Sequence, residues 1–157
     1  MSSRRHLLGL LASAPLLVQA RAPSVHDPAR LLVLGPLPMP GLDRERSVRV
    51  YLPPSYVQQA ERRYPVIYFH DGQNLFDDAT SYAGEWGADE LLDRLAPQGL
   101  EAIAVGVDNG GARRMTELNP WDHPRFGKGE GWGYLRFLVE VLKPTIDGRF
   151  RTKAQAA

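Results

Sequence analysis

Cysteine is absent from all 157 residues. That gap excludes disulfides, thiolate zinc sites and a cysteine nucleophile at once. Runs of like charge are missing as well: acids and bases are interspersed, and the formal net charge is only +1. A dedicated surface for nucleic acid or anionic membrane would need a patch of one sign, so neither partner is expected. No apolar stretch reaches the ~20 residues that a bilayer-spanning helix needs. The nearest, Leu7 to Val18, is interrupted by small residues and Pro15. What is left is an ordinary globular composition, 43% hydrophobic and 24% charged, in a chain of single-domain length.

The N-terminus has an address-like layout. Arg4 and Arg5 precede the apolar stretch, and Val18-Gln19-Ala20 or Ala20-Arg21-Ala22 offers small residues for signal peptidase. Residues 1–20 therefore read as a signal peptide, which places the mature protein in the periplasm or outside the cell. Ser3-Arg4-Arg5-His6-Leu7-Leu8 is similar to a twin-arginine signal. Of the 19 basic residues this segment carries two, so 17 oppose 18 acids in the mature chain, and its charge is −1.

Residues 21–42 read as a lead-in. Within them Leu31 to Met39 holds Pro36 and Pro38, which cannot donate to a ladder, so it suits only an edge strand or an extended approach. Arg46 to Leu52 alternates with period two, with Val48, Val50 and Leu52 on one side, as in a half-buried strand. Tyr64 to His70 is a continuous apolar run ending in Asp71-Gly72, the signature of a strand covered on both faces. Gly84 to Leu100 has helical character, with Trp86, Leu91, Leu92 and Leu95 near one face and Gly99 as a stop. A second apolar run, Ala102 to Val107, ends in Asp108-Asn109-Gly110-Gly111. Residues 111–131 read as a loop. The pattern from Tyr134 to Ile146 is helical, with Pro144 expected to kink its last turn. Strands alternating with helices predict βαβ units and a parallel sheet, an α/β fold.

These stretches match a known family. Arg46 to Pro54, followed by Tyr64-Pro65-Val66-Ile67-Tyr68-Phe69-His70-Asp71-Gly72-Gln73-Asn74-Leu75-Phe76-Asp77, resembles the esterase branch of the α/β-hydrolases. That branch includes esterase D-like proteins, enterochelin esterases, feruloyl esterases and mycolyltransferases. Val105 to Gly111, with Arg113-Arg114 and Glu117 to Pro120, is similar to the loop after the next strand in the same branch. The resemblance implies the N-terminal portion of an α/β-hydrolase sheet over residues 43–152, with antiparallel lead-in strands and then βαβα, and residues 153–157 as a tail. It implies hydrolysis of a small-molecule carboxylic ester through a serine acyl-enzyme, without a cofactor. Siderophore esters, feruloyl esters, acetylated sugars and acyl thioesters are all compatible.

Relatives continue past a helix like that ending at Thr152 into a strand and a G-x-S-x-G nucleophile elbow, then an acid and a histidine. G-x-S-x-G occurs nowhere in this sequence. The expectation is a fragment that supplies an oxyanion loop, lacks the Ser/acid/His triad and is inactive alone. The alternative is a non-catalytic α/β-hydrolase-like binding protein or pseudo-enzyme. Either way, the sheet is expected to end in an unpaired apolar edge. A G-x-S-x-G encoded within about thirty codons downstream of Ala157 would mark a broken esterase.

Candidate site residues follow from the two strand ends. The resemblance gives the N–H of Gly72 or Gln73 the oxyanion role, beside Asp71; read without it, Asp71-Gly72 is a tight turn. Asn109, Arg113, Arg114 and Glu117 sit at the carboxyl end of the second buried strand, where open α/β sheets bind ligands. Arg113 and Glu117, four apart, pair as surface charges or shape the pocket. Trp86, Trp121 and Trp132 read as core or loop-packing residues, with Trp86 or Trp121 able to line a cleft. His70 precedes the nucleophile position, the wrong chain order for a triad base, and reads as a hydrogen-bonded structural histidine. His123 reads as a loop residue. Asp77-Asp78 reads as a turn signal, and no metal site is expected from Asp71, Asp77, Asp78 and His70.

Overall fold

The computed structural model describes residues 29–153. The expected signal peptide and all but the first residue of the tail lie outside the described residues. Four strands form one sheet in the order β1-β2-β4-β3: β1 Leu31–Met39, β2 Arg44–Tyr51, β3 Val66–His70 and β4 Ile103–Val107. β1 pairs antiparallel with β2, β2 antiparallel with β4, and β3 parallel with β4. β1 is the edge strand that its prolines require, and its register shifts between Leu34 and Leu37, around Pro36. The helix α1, Ala88–Leu95, connects β3 to β4 and completes the βαβ unit.

β4 is buried along its whole length, and its two faces differ in size. Ile103, Val105 and Val107 join Val48, Val50 and Leu52 in the larger core, against Tyr134, Phe137, Leu142 and Ile146. Ala104 faces the smaller core of Tyr51, Leu75 and Phe76. The alternation in β2 was expected to bury one side only. Tyr51 instead packs into the second core with 1% exposure, because the sheet is covered on both faces there.

β3 corrects the expectation of a strand covered on both faces. It is the other edge of the sheet, and Ile67 and Tyr68 are about two-fifths exposed (41% and 39%). Among the described residues its outer side is met only at its foot. There Tyr64 forms a parallel bridge with Thr152, its N–H donating to Arg151 O (2.8 Å) and its carbonyl accepting from Lys153 N–H (2.8 Å). Apolar patterning reports the environment a strand is built for, and here the outer neighbour is missing along Val66–His70 among the described residues.

The helices also shift from expectation. α1 starts only at Ala88, since Gly84 (φ 93°) and Gly87 (φ 61°) hold left-handed backbone that a helix cannot contain. Gly99 ends the following turn at φ 81°, as its stop signal requires. Leu91 is exposed rather than inward, and Leu92 does the packing. The expected loop after β4 contains a short helix, α2, Arg114–Glu117. The long helical pattern runs from Gly131 to Arg149 as α3 (Gly131–Phe137), a π segment (Leu138–Leu142) and α4 (Lys143–Arg149). The wide turn falls just before Pro144, which has no N–H to continue the α ladder.

Candidate active-site cleft

Because β3 and β4 are adjacent and parallel, their carboxyl ends open on the same rim. Asp71 leaves β3 in left-handed conformation (φ 56°, ψ 45°), unusual for a residue with a side chain. A 3-10 turn, Gly72–Asn74, follows directly. Within that turn Asn74 donates to Asp71 O (2.9 Å) and Leu75 to Gly72 O (3.2 Å). The first N–H groups of the turn, those of Gly72 and Gln73, are not used by it. Gly72 lies against β4: a Cβ there would stand 2.5 Å from the backbone C and O of Gly106. Gly106 is small for the same reason, its own Cβ position being 2.8 Å from Gly72 Cα.

Two loops are then cross-linked by polar contacts. Asn109 donates its backbone N–H to Gln73 Oε1 (3.0 Å) and its Nδ2–H to Asp71 Oδ1 (2.7 Å). Arg114 grips Asp71 with two bonds, Nε to Oδ1 (2.7 Å) and Nη2 to Oδ2 (2.8 Å). This fork holds the Asp71 carboxyl below the usual carboxylate range against the opposing effect of burial, and raises the Arg114 guanidinium in turn. A cleft of about 730 Å³ opens beside this network, lined by Asp71, Gln73, Asn109 and Arg114, and walled by Tyr82 and Trp86 from the following loop.

Asp71, Gln73, Asn109 and Trp86 are thus brought together, with Gly72 packed beneath them. Arg113 and Glu117 are not part of this cleft. The pair expected between them does not form: Arg113 points outward, 3.9 Å from Glu130, while Glu117 is buried and accepts from Arg44 Nη1 (2.8 Å) and from Arg46. Glu117 instead borders a separate hollow with His70 and Tyr134. His70 is hydrogen-bonded through Nδ1 to the Tyr134 hydroxyl (2.9 Å), the structural role expected of it. His123 lies in an exposed turn whose Arg125 N–H donates to its Nδ1. Asp77 and Asp78 accept from Ala79 and Glu85 N–H groups, as turn residues do. The tryptophans are not core residues: Trp86, Trp121 and Trp132 are all more than half exposed. Trp86 alone of the three lines the cleft. Sequence reasoning did not single out Tyr82, and it placed Arg114 at this strand end without its partner Asp71. The Arg113-Arg114 dipeptide marked the position but not which arginine turns inward.

The family model described as "Putative esterase" matches residues 40–157. The chain belongs to that esterase family. An endo-1,4-beta-xylanase/feruloyl esterase of Xylanibacter ruminicola is 28% identical over 117 residues, covering 69% of this chain and 14% of the relative. An IroE-like serine hydrolase from Shewanella oneidensis is similar in structure, with 28% identity and a TM-score of 0.56 over 71% of this chain and 36% of that one. A ferulic acid esterase gives 26% identity and a TM-score of 0.54 over 80% and 47%. This esterase-family chain therefore spans less than half the length of these relatives. Its fold is a partial α/β-hydrolase sheet. Among the described residues no serine, histidine and acid form a triad: Ser55 is bonded to Tyr64, Glu101 and Arg62 at the other end of the sheet. Nor do three His, Asp or Glu residues gather there as a metal cluster.

Proposed function

We propose that this chain shapes the acyl cleft of a serine carboxylic-ester hydrolase and supplies its oxyanion donors, and that it hydrolyses no ester alone. One observation carries this reading: the Gly72 turn and the Asn109 loop, from parallel neighbouring strands, border one cleft. The N–H groups of Gly72 and Gln73 are the donors that would meet a carbonyl oxygen as it becomes negative. Asp71 and Asn109 hold the turn in place, and Trp86 and Tyr82 offer flat apolar walls suited to an aromatic acyl group. Arg113 and Glu117 take no substrate contact in this reading. The nucleophile, its base and the orienting acid come from elsewhere.

The test is hydrolysis of chromogenic acetyl and feruloyl esters by the purified chain, with and without a serine-directed phosphonate. No phosphonate-sensitive turnover is the expected result, and phosphonate-sensitive turnover would overturn the proposal. A second reading, a binding protein that keeps the cleft without chemistry, draws on the absence of a triad among the described residues. It predicts that the chain retains a non-hydrolysable ester analogue in equilibrium dialysis. The proposal extends to the compartment: export, with a mature N-terminus at Arg21 or Pro23, is checked by sequencing the protein from the periplasm or medium. A chain that still begins at Met1 refutes it.

A further inference from the structure

A four-residue helix cannot hold itself together in water, since nucleation alone exceeds what one turn returns. α2 is nevertheless formed, and charged contacts pin it at both ends. At its first residue, Arg114 forks onto Asp71, directly before the Gly72 turn. At its last, Glu117 has its side chain 2% exposed and faces two arginines of β2, Arg44 and Arg46. Arg44 also forks onto Glu130, just ahead of α3, and Glu130 in turn accepts from Thr116 Oγ1 (3.2 Å). Arg44 holds the Glu130 carboxyl below its ordinary range, so this second anchor stays ionised. The loop leaving β4 is pressed on the same anchor: a Cβ on Gly110 would lie 2.4 Å from Glu117 Oε2.

We infer that α2 is a strut, and that Glu117 is a positioning residue for the oxyanion turn although it lies outside the cleft. This deepens the reading of the Gly72 turn given above and rests on it. The chain of contact is continuous, from Arg44 and Arg46 on β2 through Glu117, one helical turn and Arg114 to Asp71. Asp71 needs an external hold, because its left-handed backbone is intrinsically unfavourable. The groups that face its carboxylate are Arg114 and Asn109 by hydrogen bond and His70 by charge. Of these only Arg114 rides on α2. Loosening the far end of the strut therefore weakens one identifiable grip on Asp71 directly, and reaches Asn109 only through the Gly110 contact.

The experiment is an NMR titration of the Asp71 carboxyl in the full chain, together with amide exchange at Gly72 and Gln73. Wild type, Arg114→Gln, Glu117→Gln and Arg46→Lys are compared, with global stability measured alongside. In wild type the carboxyl titrates below the ordinary range. Arg114→Gln moves it up toward the ordinary value. Glu117→Gln moves it part of the way and speeds Gly72 and Gln73 exchange about tenfold relative to the other loops. Arg46→Lys keeps a charge but loses the guanidinium geometry, and gives a smaller shift of the same sign; it carries the test if Glu117→Gln does not fold. The strut is overturned if Arg114→Gln shifts Asp71 while neither anchor variant does, whatever happens to global stability. A titration that stays put in Arg114→Gln overturns the grip itself. No ester enters the measurement, so the strut can fail while the esterase reading stands, and the reverse.

Discussion

Replacing Gly72 with alanine adds one methyl group at the point where the β3 loop touches β4. The new Cβ would stand 2.5 Å from Gly106 C and O and 2.9 Å from Val107 C. Comfortable carbon contacts lie at about 3.5–4.0 Å, so the overlap is about 1 Å. Every atom it meets is backbone of the central strand, which is hydrogen-bonded on both sides by β2 and β3 and cannot step back. Overpacking of this kind costs about 1–3 kcal/mol, and an unyielding backbone puts Gly72→Ala at the upper end. For a domain of this size ~3 kcal/mol lowers the melting temperature by roughly 6–12 °C. Urea unfolding followed by circular dichroism is the assay, with a lower midpoint and an unchanged slope expected. A variant within about 0.5 kcal/mol of wild type would refute the close approach, and with it the floor of the cleft.

Gly148→Ala is the opposite case: nothing lies within 4 Å of its Cβ position, and it sits inside α4, so a gain of about 0.5–1 kcal/mol in the same urea assay is expected. Arg114→Gln has a pH signature. The folded Asp71 carboxyl is depressed, so the pair's stabilisation is full above the ordinary carboxylate range and is lost as pH falls through the depressed value. Urea midpoints of wild type and variant should therefore differ at neutral pH and converge in strong acid; a gap independent of pH contradicts the pairing. The gap is modest, because the Arg114 side chain is 42% exposed.

Much of this arrangement was legible in the sequence, for reasons that differ by element. Ala102 to Val107 reads as a buried strand because an unbroken apolar run suits a strand covered on both faces, and β4 is one. The edge role of β1 followed from Pro36 and Pro38. The twin loop ends, Asp71-Gly72 and Asp108-Asn109-Gly110-Gly111, were visible because glycine and aspartate mark a strand's exit chemically. What was lost depended on long-range partners. Tyr64 to His70 looks like a strand covered on both faces; the absent G-x-S-x-G predicts an unpaired apolar edge, but no local signal says that this strand forms it among the described residues. Arg113 and Arg114 are neighbours of the same type, and only the direction of α2 decides which one reaches Asp71. Glu117 has a charge partner at helical spacing on paper, Arg113, yet its real partners, Arg44 and Arg46, lie 73 and 71 positions earlier in the chain.

The π segment in the long C-terminal helix has a consequence for side-chain phase. Phe137 and Leu142 are both fully buried in the larger core, although they are five residues apart. An α-helix turns 3.6 residues per revolution, so a five-residue step would swing the second side chain far around the barrel of the helix. The wide turn from Leu138 to Leu142 absorbs that extra residue, and a regular four-residue step then carries the chain on to Ile146. The helix thus contains, in effect, one residue more than its packing pattern needs. Excising a single residue between Phe137 and Leu142 would restore uniform pitch while keeping Phe137, the shifted leucine and the shifted isoleucine in phase.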